Sequence, residues 1–318
     1  MQPKVLLPVL LAGALLVFVL SLSDLPRVFD RIGRITPQAA ALCAACAAYY
    51  LTLKGTVFHL LLRGLGFRVR FRAFLLAYAV GEMTLQLPAG TYVSNYLLSR
   101  MREAPPGRSS AATTILLILE TMVVMAALAI LGVTGWQWLQ PALVGLIAAH
   151  VLVLAAVVTS APLRRWLGAR QGRFLGPLGQ GLLGLVEGLR TLSTLRYLVP
   201  GAVLTLTYLT GLGAGLTFIG HAQGLTGLSF QQALTIYFAG LLVTLFLGSF
   251  LTQIGVIEAV GLGAAQAWGY GVNEGLAAIL GFRLVWIGSV WLICGSIALW
   301  LRRELRDSGG NGFQEPSH

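Results

Sequence analysis

The strongest constraint on this chain is the length of its apolar runs. Residues 5–22, 38–62, 111–133, 141–160, 199–219 and 275–301 are nearly free of charge. Each approaches or exceeds the ~20 residues that an α-helix needs to cross about 30 Å of hydrocarbon. No segment between them is long and polar enough to bury a core of its own. The expected fold is therefore all-α, a polytopic transmembrane helix bundle over residues 1–303. A short disordered cytoplasmic tail is expected over 304–318. Composition agrees, since the 318 residues are 57% hydrophobic and 10% charged, with a mean hydropathy of +0.81. A soluble globular domain has a different balance.

Basic residues outnumber acidic ones 22 to 11, and all but Lys4 and Lys54 are arginine. The arginines fall in short clusters between apolar runs, a pattern that orients loops beside an anionic leaflet. They form neither a basic-aromatic platform nor a reading helix, so nucleic acid is not an expected partner. Cys43, Cys46 and Cys294 all lie in apolar segments and suggest no disulfide. Cys43 and Cys46 read instead as part of a small-residue face, "LCAACAAYY", suited to close helix contact. The run 5–22 resembles a secretory signal but is long enough to be a retained anchor.

Two further apolar stretches, 73–99 and 232–270, are interrupted. The first contains "QLPAGT", where Pro88 removes a backbone donor and Gly90 permits a turn. Arginine flanks it on both sides, with Arg63, Arg68, Arg70 and Arg72 before it and Arg100, Arg102 and Arg108 after it. If it enters and leaves from one face, Arg27, Arg31 and Arg34 are the basic residues left on the far side, with Lys54 and Arg283 embedded. A single crossing skews the arginines less, so the positive-inside rule prefers re-entry. The second stretch is glycine-rich, with Gln253 and Glu258 at its core, and on this topology is entered from the opposite face. About six full spans plus two re-entrant helical hairpins are thus expected, an arrangement compatible with an inverted repeat. In sequence the halves share little beyond a glycine-flanked glutamate and a later arginine. The leucines of "LGQGLLGLVEGLRTLSTLRYLV" recur at helical spacing, which predicts an interfacial amphipathic helix over about 178–197.

An ionisable group in the membrane costs roughly 2.5–3.5 kcal/mol and is a functional candidate by default. Glu82 lies six residues before Pro88, and Glu258 lies three after Gly255. Either carboxylate can bind a cationic headgroup, accept a proton or cap free backbone N–H groups. Arg283 can hold a lipid phosphate, or neutralise Glu258 or Glu274. For Glu120 and Lys54 structural ion pairing is the expectation. His59 reads as a residue near the cytoplasmic end of its span. No metal set, nucleophilic triad or phosphate loop emerges, so no cofactor and no enzymatic activity are expected.

"GEMTLQLPAGTYVSNYLLSR" and "IGVIEAVGLGAAQAWGYGVNEGLAAILGFRLVW" resemble the two signature regions of the lysylphosphatidylglycerol synthase transmembrane-region family, flippase-like membrane proteins. The first matches through Glu82, Pro88, Gly90 and Arg100, and the second through Gly255, Val256, Glu258, Gly271 and Arg283. "LTQIG" stands where the family often has a Pro-Gly-Gly turn. Among these 318 residues no counterpart of the family's soluble synthase domain is expected. The resemblance implies a lipid-translocating membrane part without the synthase.

The expected function is translocation of a membrane phospholipid or lipid-linked substrate across the bacterial inner membrane, with both termini cytoplasmic. Glu82 and Glu258 would face a wet cavity between the hairpins, with Asn95, Gln253 and Arg283 supplying hydrogen bonds or phosphate contact. Alternatives are a scaffold for a lipid-synthesis enzyme and an intramembrane transferase acting on lipid-linked substrates. A lipid-synthesis enzyme and a second copy of the chain are the possible protein partners.

Overall fold

The structure, a computed structural model, describes residues 13–14, 17, 20–21, 23–85, 90–132, 136, 139–160, 176–247 and 255–310. Most of the expected span 5–22, together with Pro88, Gln253 and the tail 311–318, lies outside the described residues. Among the described residues there is no strand. Eleven α-helices with both ends described run, among the described residues, in the order α1 (Leu25–Gly33), α2 (Pro37–Gly64), α3 (Phe71–Thr84), α4 (Val93–Arg100), α5 (Pro106–Leu131) and α6 (Leu139–Thr159), then α7 (Gly176–Leu192), α8 (Leu195–Ala222), α9 (Phe230–Leu247), α10 (Val256–Ala267) and α11 (Val272–Gly310). Five of them, α2, α5, α6, α8 and α11, are long and apolar enough to cross a membrane.

The surface and the buried charges differ from those of a soluble protein. Val144, Leu152 and Val153 of α6 and Leu292, Leu299 and Trp300 of α11 are exposed, whereas Lys54, Asn95, Glu120, Glu258 and Arg283 are buried. Apolar side chains outside and ionisable ones inside suit hydrocarbon as the surrounding medium. This is an integral membrane protein.

The central contact is between α2 and α8, which run antiparallel. Thr36 caps α2 by accepting from the Ala39 N–H at 3.2 Å, and Pro37 starts the helix where its missing donor costs nothing. Along the pair, Cys43 faces Gly215, Cys46 faces Gly211, and the Tyr49 hydroxyl donates to the Thr207 carbonyl. The CxxC face thus packs on α8 glycines, the small-residue contact that its composition predicts. Tyr50, near the middle of α2, meets Tyr208 of α8 edge-on with centroids 5.1 Å apart. These tyrosines occupy equivalent places, for "YLTLKG" begins at Tyr50 and "YLTGLG" at Tyr208.

The two halves of the chain also repeat an order of elements. In each, an amphipathic helix (α1 or α7) precedes a long helix (α2 or α8), a broken helical hairpin (α3/α4 or α9/α10) and a second long helix (α5 or α11). Contacts between the halves are reciprocal, because α7 lies on α5 as α1 lies on α11, and α9 lies on α5 as α3 lies on α11. Within the hairpins, "FRAFLLAYAVG" of α3 aligns with "FQQALTIYFAG" of α9, sharing Phe, Leu, Tyr and Gly at the same spacing. Its final glycine does the same work in both. A Cβ on Gly81 would strike the Ser94 hydroxyl of α4, and one on Gly240 would lie 2.8 Å from Ile257 Cα of α10.

This register corrects the sequence-based pairing of the glutamates. Glu82 follows the crossing glycine on the first arm of its hairpin, whereas Glu258 is the third residue of a second arm. The position equivalent to Glu258 is Asn95, third in α4. A glutamate near a glycine had suggested equivalence, but which arm carries it is visible only once the arms are folded together.

Each hairpin is tied across its open end. Arg70 bonds Glu103 at the base of the first, and in the second the Tyr270 hydroxyl donates to Gln232 at 2.9 Å while the Trp268 indole donates to Thr235 at 3.1 Å. The first base lies at the end of the bundle where α2 finishes, and the second at the end where α8 finishes. Since α2 and α8 are antiparallel, these ends are opposite.

Two boundaries differ from expectation. The amphipathic helix α7 ends at Leu192 instead of continuing to 197, because Ser193 bonds back to the Leu189 carbonyl and Thr194 is extended, redirecting the chain into α8. At the C-terminus, α11 remains helical to Gly310, past position 304, since "RRELRDS" contains no helix breaker before the paired glycines.

The glycine crossings give a direct prediction. Gly240→Ala presses its methyl on Ile257 backbone, 2.8 Å from Cα and 2.9 Å from the carbonyl oxygen, whereas Gly81→Ala meets a serine side chain that can rotate. Overpacking of this kind costs about 1–3 kcal/mol. Thermal unfolding of the detergent-solubilised protein should show a clear loss for Gly240→Ala and a smaller one for Gly81→Ala.

Candidate functional site

The first hairpin breaks after α3. There the Thr84 hydroxyl donates to the carbonyls of Val80 and Gly81 at 3.0 and 2.9 Å, and the Gly81 carbonyl is among those that the interrupted helix leaves open. Gly90 then comes so close to the Thr84 carbonyl that no side chain fits. The turn holds Glu82 at depth beside Lys54 of α2, whose Nζ lies 3.2 Å from Glu82 Oε1 and 3.4 Å from Glu120 Oε1 of α5. Lys54 also donates to the Tyr50 hydroxyl at 2.9 Å, and the Tyr208 hydroxyl donates to Glu120 at 2.8 Å. Tyr78 packs alongside and donates to the Leu51 carbonyl at 2.8 Å. Four helices, α2, α3, α5 and α8, therefore converge on this cluster. It borders a cavity of about 30 Å³, also lined by Thr91, Ser94 and Thr113. That is room for one or two water molecules.

The second hairpin is built differently. Gly255 adopts φ 89°, a left-handed conformation that glycine takes without strain, and begins α10. Glu258 Oε2 accepts from the Gly255 N–H at 2.7 Å, placing a carboxylate where the helix terminus favours negative charge. Its other oxygen accepts from Arg283 of α11, also at 2.7 Å. Arg283 had two candidate partners in the sequence. It takes Glu258, while Glu274 pairs with Arg31 of α1.

The residues singled out from sequence thus fall into two groups. Glu82, Gly90 and Asn95 belong to the first hairpin, and Gly255 and Glu258 to the second, which Arg283 meets from α11. Asn95 is buried and donates to Thr113 at 2.7 Å, while its Oδ1 has no partner among the described residues. Arg100 is exposed at the end of α4, away from the ion cluster. Pro88 and Gln253 lie outside the described residues.

Lys54 and Glu120 were read as a structural ion pair, and they do pair, but they also border the cavity with Glu82. The tyrosines had no assigned role. Tyr237, Phe282, Trp286, Tyr50 and Tyr208 form a chain of ring contacts with centroids 5.1–5.4 Å apart, running from beside the Glu258–Arg283 pair to the Lys54 cluster. The repeated "YLT" was the sequence signal that marked two of these rings.

The chemistry available at the first site is charge recognition and proton exchange, from two carboxylates, an ammonium and several hydroxyls around a small polar void. The second is a buried carboxylate–guanidinium pair in which both carboxylate oxygens are engaged. No protein-family model matches the chain, and no curated protein is significantly similar to it in sequence. Fold and site together define an integral helical membrane protein with two broken hairpins and ionisable groups at depth.

Proposed function

We propose that this protein is a flippase-like translocator of a phospholipid or lipid-linked substrate in the bacterial inner membrane, as its resemblance to the lysylphosphatidylglycerol synthase transmembrane-region family implies. The observation that carries the proposal is the pair of broken hairpins, based at opposite ends of the bundle, whose inner parts bear the ionisable groups Glu82 and Glu258. Hairpins of this kind, re-entrant in the membrane and related by an inverted-topology repeat, are a common transporter plan with the substrate site near the midplane. Glu82, Asn95 and the cavity beside them would receive a polar headgroup while the acyl chains stay in lipid. The arginine-rich end, with Arg63, Arg68, Arg72, Arg100 and Arg102, would face the cytoplasm and place both termini there. No catalytic step is assigned.

One observation favours a scaffold for a lipid-synthesis enzyme instead. Both oxygens of Glu258 are already bound within the protein, so that residue offers nothing to a ligand in this conformation.

Mass spectrometry of lipids retained through mild-detergent purification separates the two. A minor lipid enriched with the native protein and depleted at least several-fold from Glu82→Gln/Glu258→Gln is the expected result. Equal retention of bulk lipids by both would favour the scaffold.

A further inference from the structure

We propose that Lys54, Glu82 and Glu120 form a proton-binding site that holds one exchangeable proton shared by the two carboxylates. Its coupling to cargo movement, and only that, rests on the translocator function proposed above.

The inference starts from a charge count. The groups facing the cluster are Tyr50 and Lys54 of α2, Tyr78 and Glu82 of α3, Glu120 of α5, Tyr208 of α8, Tyr237 of α9 and Cys294 of α11. Lys54 is the cation among them, and there are two carboxylates. With both ionised and the phenols and thiol neutral, the cluster carries one net negative charge. Its side chains are only 5% exposed for Lys54, 9% for Glu82 and 8% for Glu120. Burying an uncompensated charge costs several kcal/mol. A proton on one carboxylate removes that charge and turns an acceptor into a donor, leaving the other carboxylate paired with Lys54.

Geometry favours a proton over a metal ion. The ammonium already lies between the carboxylates, at 3.2 and 3.4 Å, and a metal cation would have to displace it. Access comes from the adjoining cavity, where the hydroxyls of Thr91, Ser94 and Thr113 join the charged groups around space for water. Water there can carry the proton to and from Glu82 or Glu120 without moving a helix. The other hairpin supplies the contrast. Arg283 and Glu258 match one to one, and both carboxylate oxygens are engaged, so no proton is required.

The site is therefore an asymmetry between otherwise parallel halves. Asn95, in the place of Glu258, is neutral, while Glu82 and Glu120 bring the extra carboxylate to the first half. On the translocator function, loading and releasing this proton would be the coupling step.

Infrared spectroscopy of the protein in liposomes tests the site without any transport assay. Native protein should show a protonated-carboxyl C=O band that is lost on titration to alkaline pH. The band should be absent from Glu82→Gln and from Glu120→Gln, each of which leaves one carboxylate with Lys54, and present in the surface variant Glu187→Gln. Native protein with no such band across the pH range in which it stays folded would overturn the proposal, whatever the variants do. So would a band that survives in both cluster variants, or one abolished by sodium but not by N-methylglucamine, which would assign the site to a metal cation. A positive band with no lipid movement in a reconstituted assay leaves the proton site standing and removes only the coupling role.

Discussion

Replacing Lys54 with methionine is expected to destabilise the protein by about 3–5 kcal/mol, the scale for removing one partner of a buried ionic group. The ammonium is the cation between Glu82 and Glu120, and it also donates to Tyr50. Without it, two carboxylates share a nearly dry site. The deficit should shrink toward acid pH, where protonation neutralises them both. Partial rescue should come from Glu82→Gln and Glu120→Gln introduced together, and less from either alone. Thermal unfolding in detergent across a pH series reads all of these. Equal stability of native protein and Lys54→Met at neutral pH would remove Lys54 as the counter-ion of the cluster.

Arg283→Met should be comparably costly, about 3–5 kcal/mol, for a related reason. Glu258 is 3% exposed and accepts from Arg283 at 2.7 Å. Here the charge count is one to one, so the second-site change behaves differently. Glu258→Gln in the Arg283→Met background should recover much of the loss, because it removes the stranded charge and keeps an oxygen able to accept from the Gly255 N–H. A double-mutant cycle measures the coupling directly. Additive losses would mean that the two side chains do not depend on each other for burial. The contrast between the sites is diagnostic, since one neutral replacement suffices beside Arg283 and two are needed beside Lys54.

These contrasts mark where sequence and structure diverge. Glu82, Glu258, Glu120, Lys54 and Arg283 were all conspicuous in the sequence, because an ionisable residue in an apolar run has few inexpensive places to go. Their pairing was not conspicuous. Arg283 had Glu258 and Glu274 within reach along the chain, and what excludes Glu274 is Arg31 of α1, a residue 243 positions away. Lys54 and Glu120 paired as expected, but Glu82 joins them because the first hairpin folds back until Gly81 touches Ser94.

By itself, the amino-acid sequence determined that the chain is a helical membrane bundle, that two of its apolar stretches are broken, and that a handful of ionisable groups lie within it. Those properties follow from local quantities, namely run length, hydropathy and the backbone limits of proline and glycine. Tertiary structure alone decided which carboxylates share a cation, and hence that one cluster has an excess negative charge while the other is neutral. It also decided which residues of the two halves correspond, placing Tyr50 against Tyr208 and Asn95 opposite the role of Glu258. The physical reason is common to both. Helix periodicity says which face of a helix is buried, but electrostatic balance depends on which helices supply the neighbouring faces, and that is set by close contacts between small residues far apart in the chain.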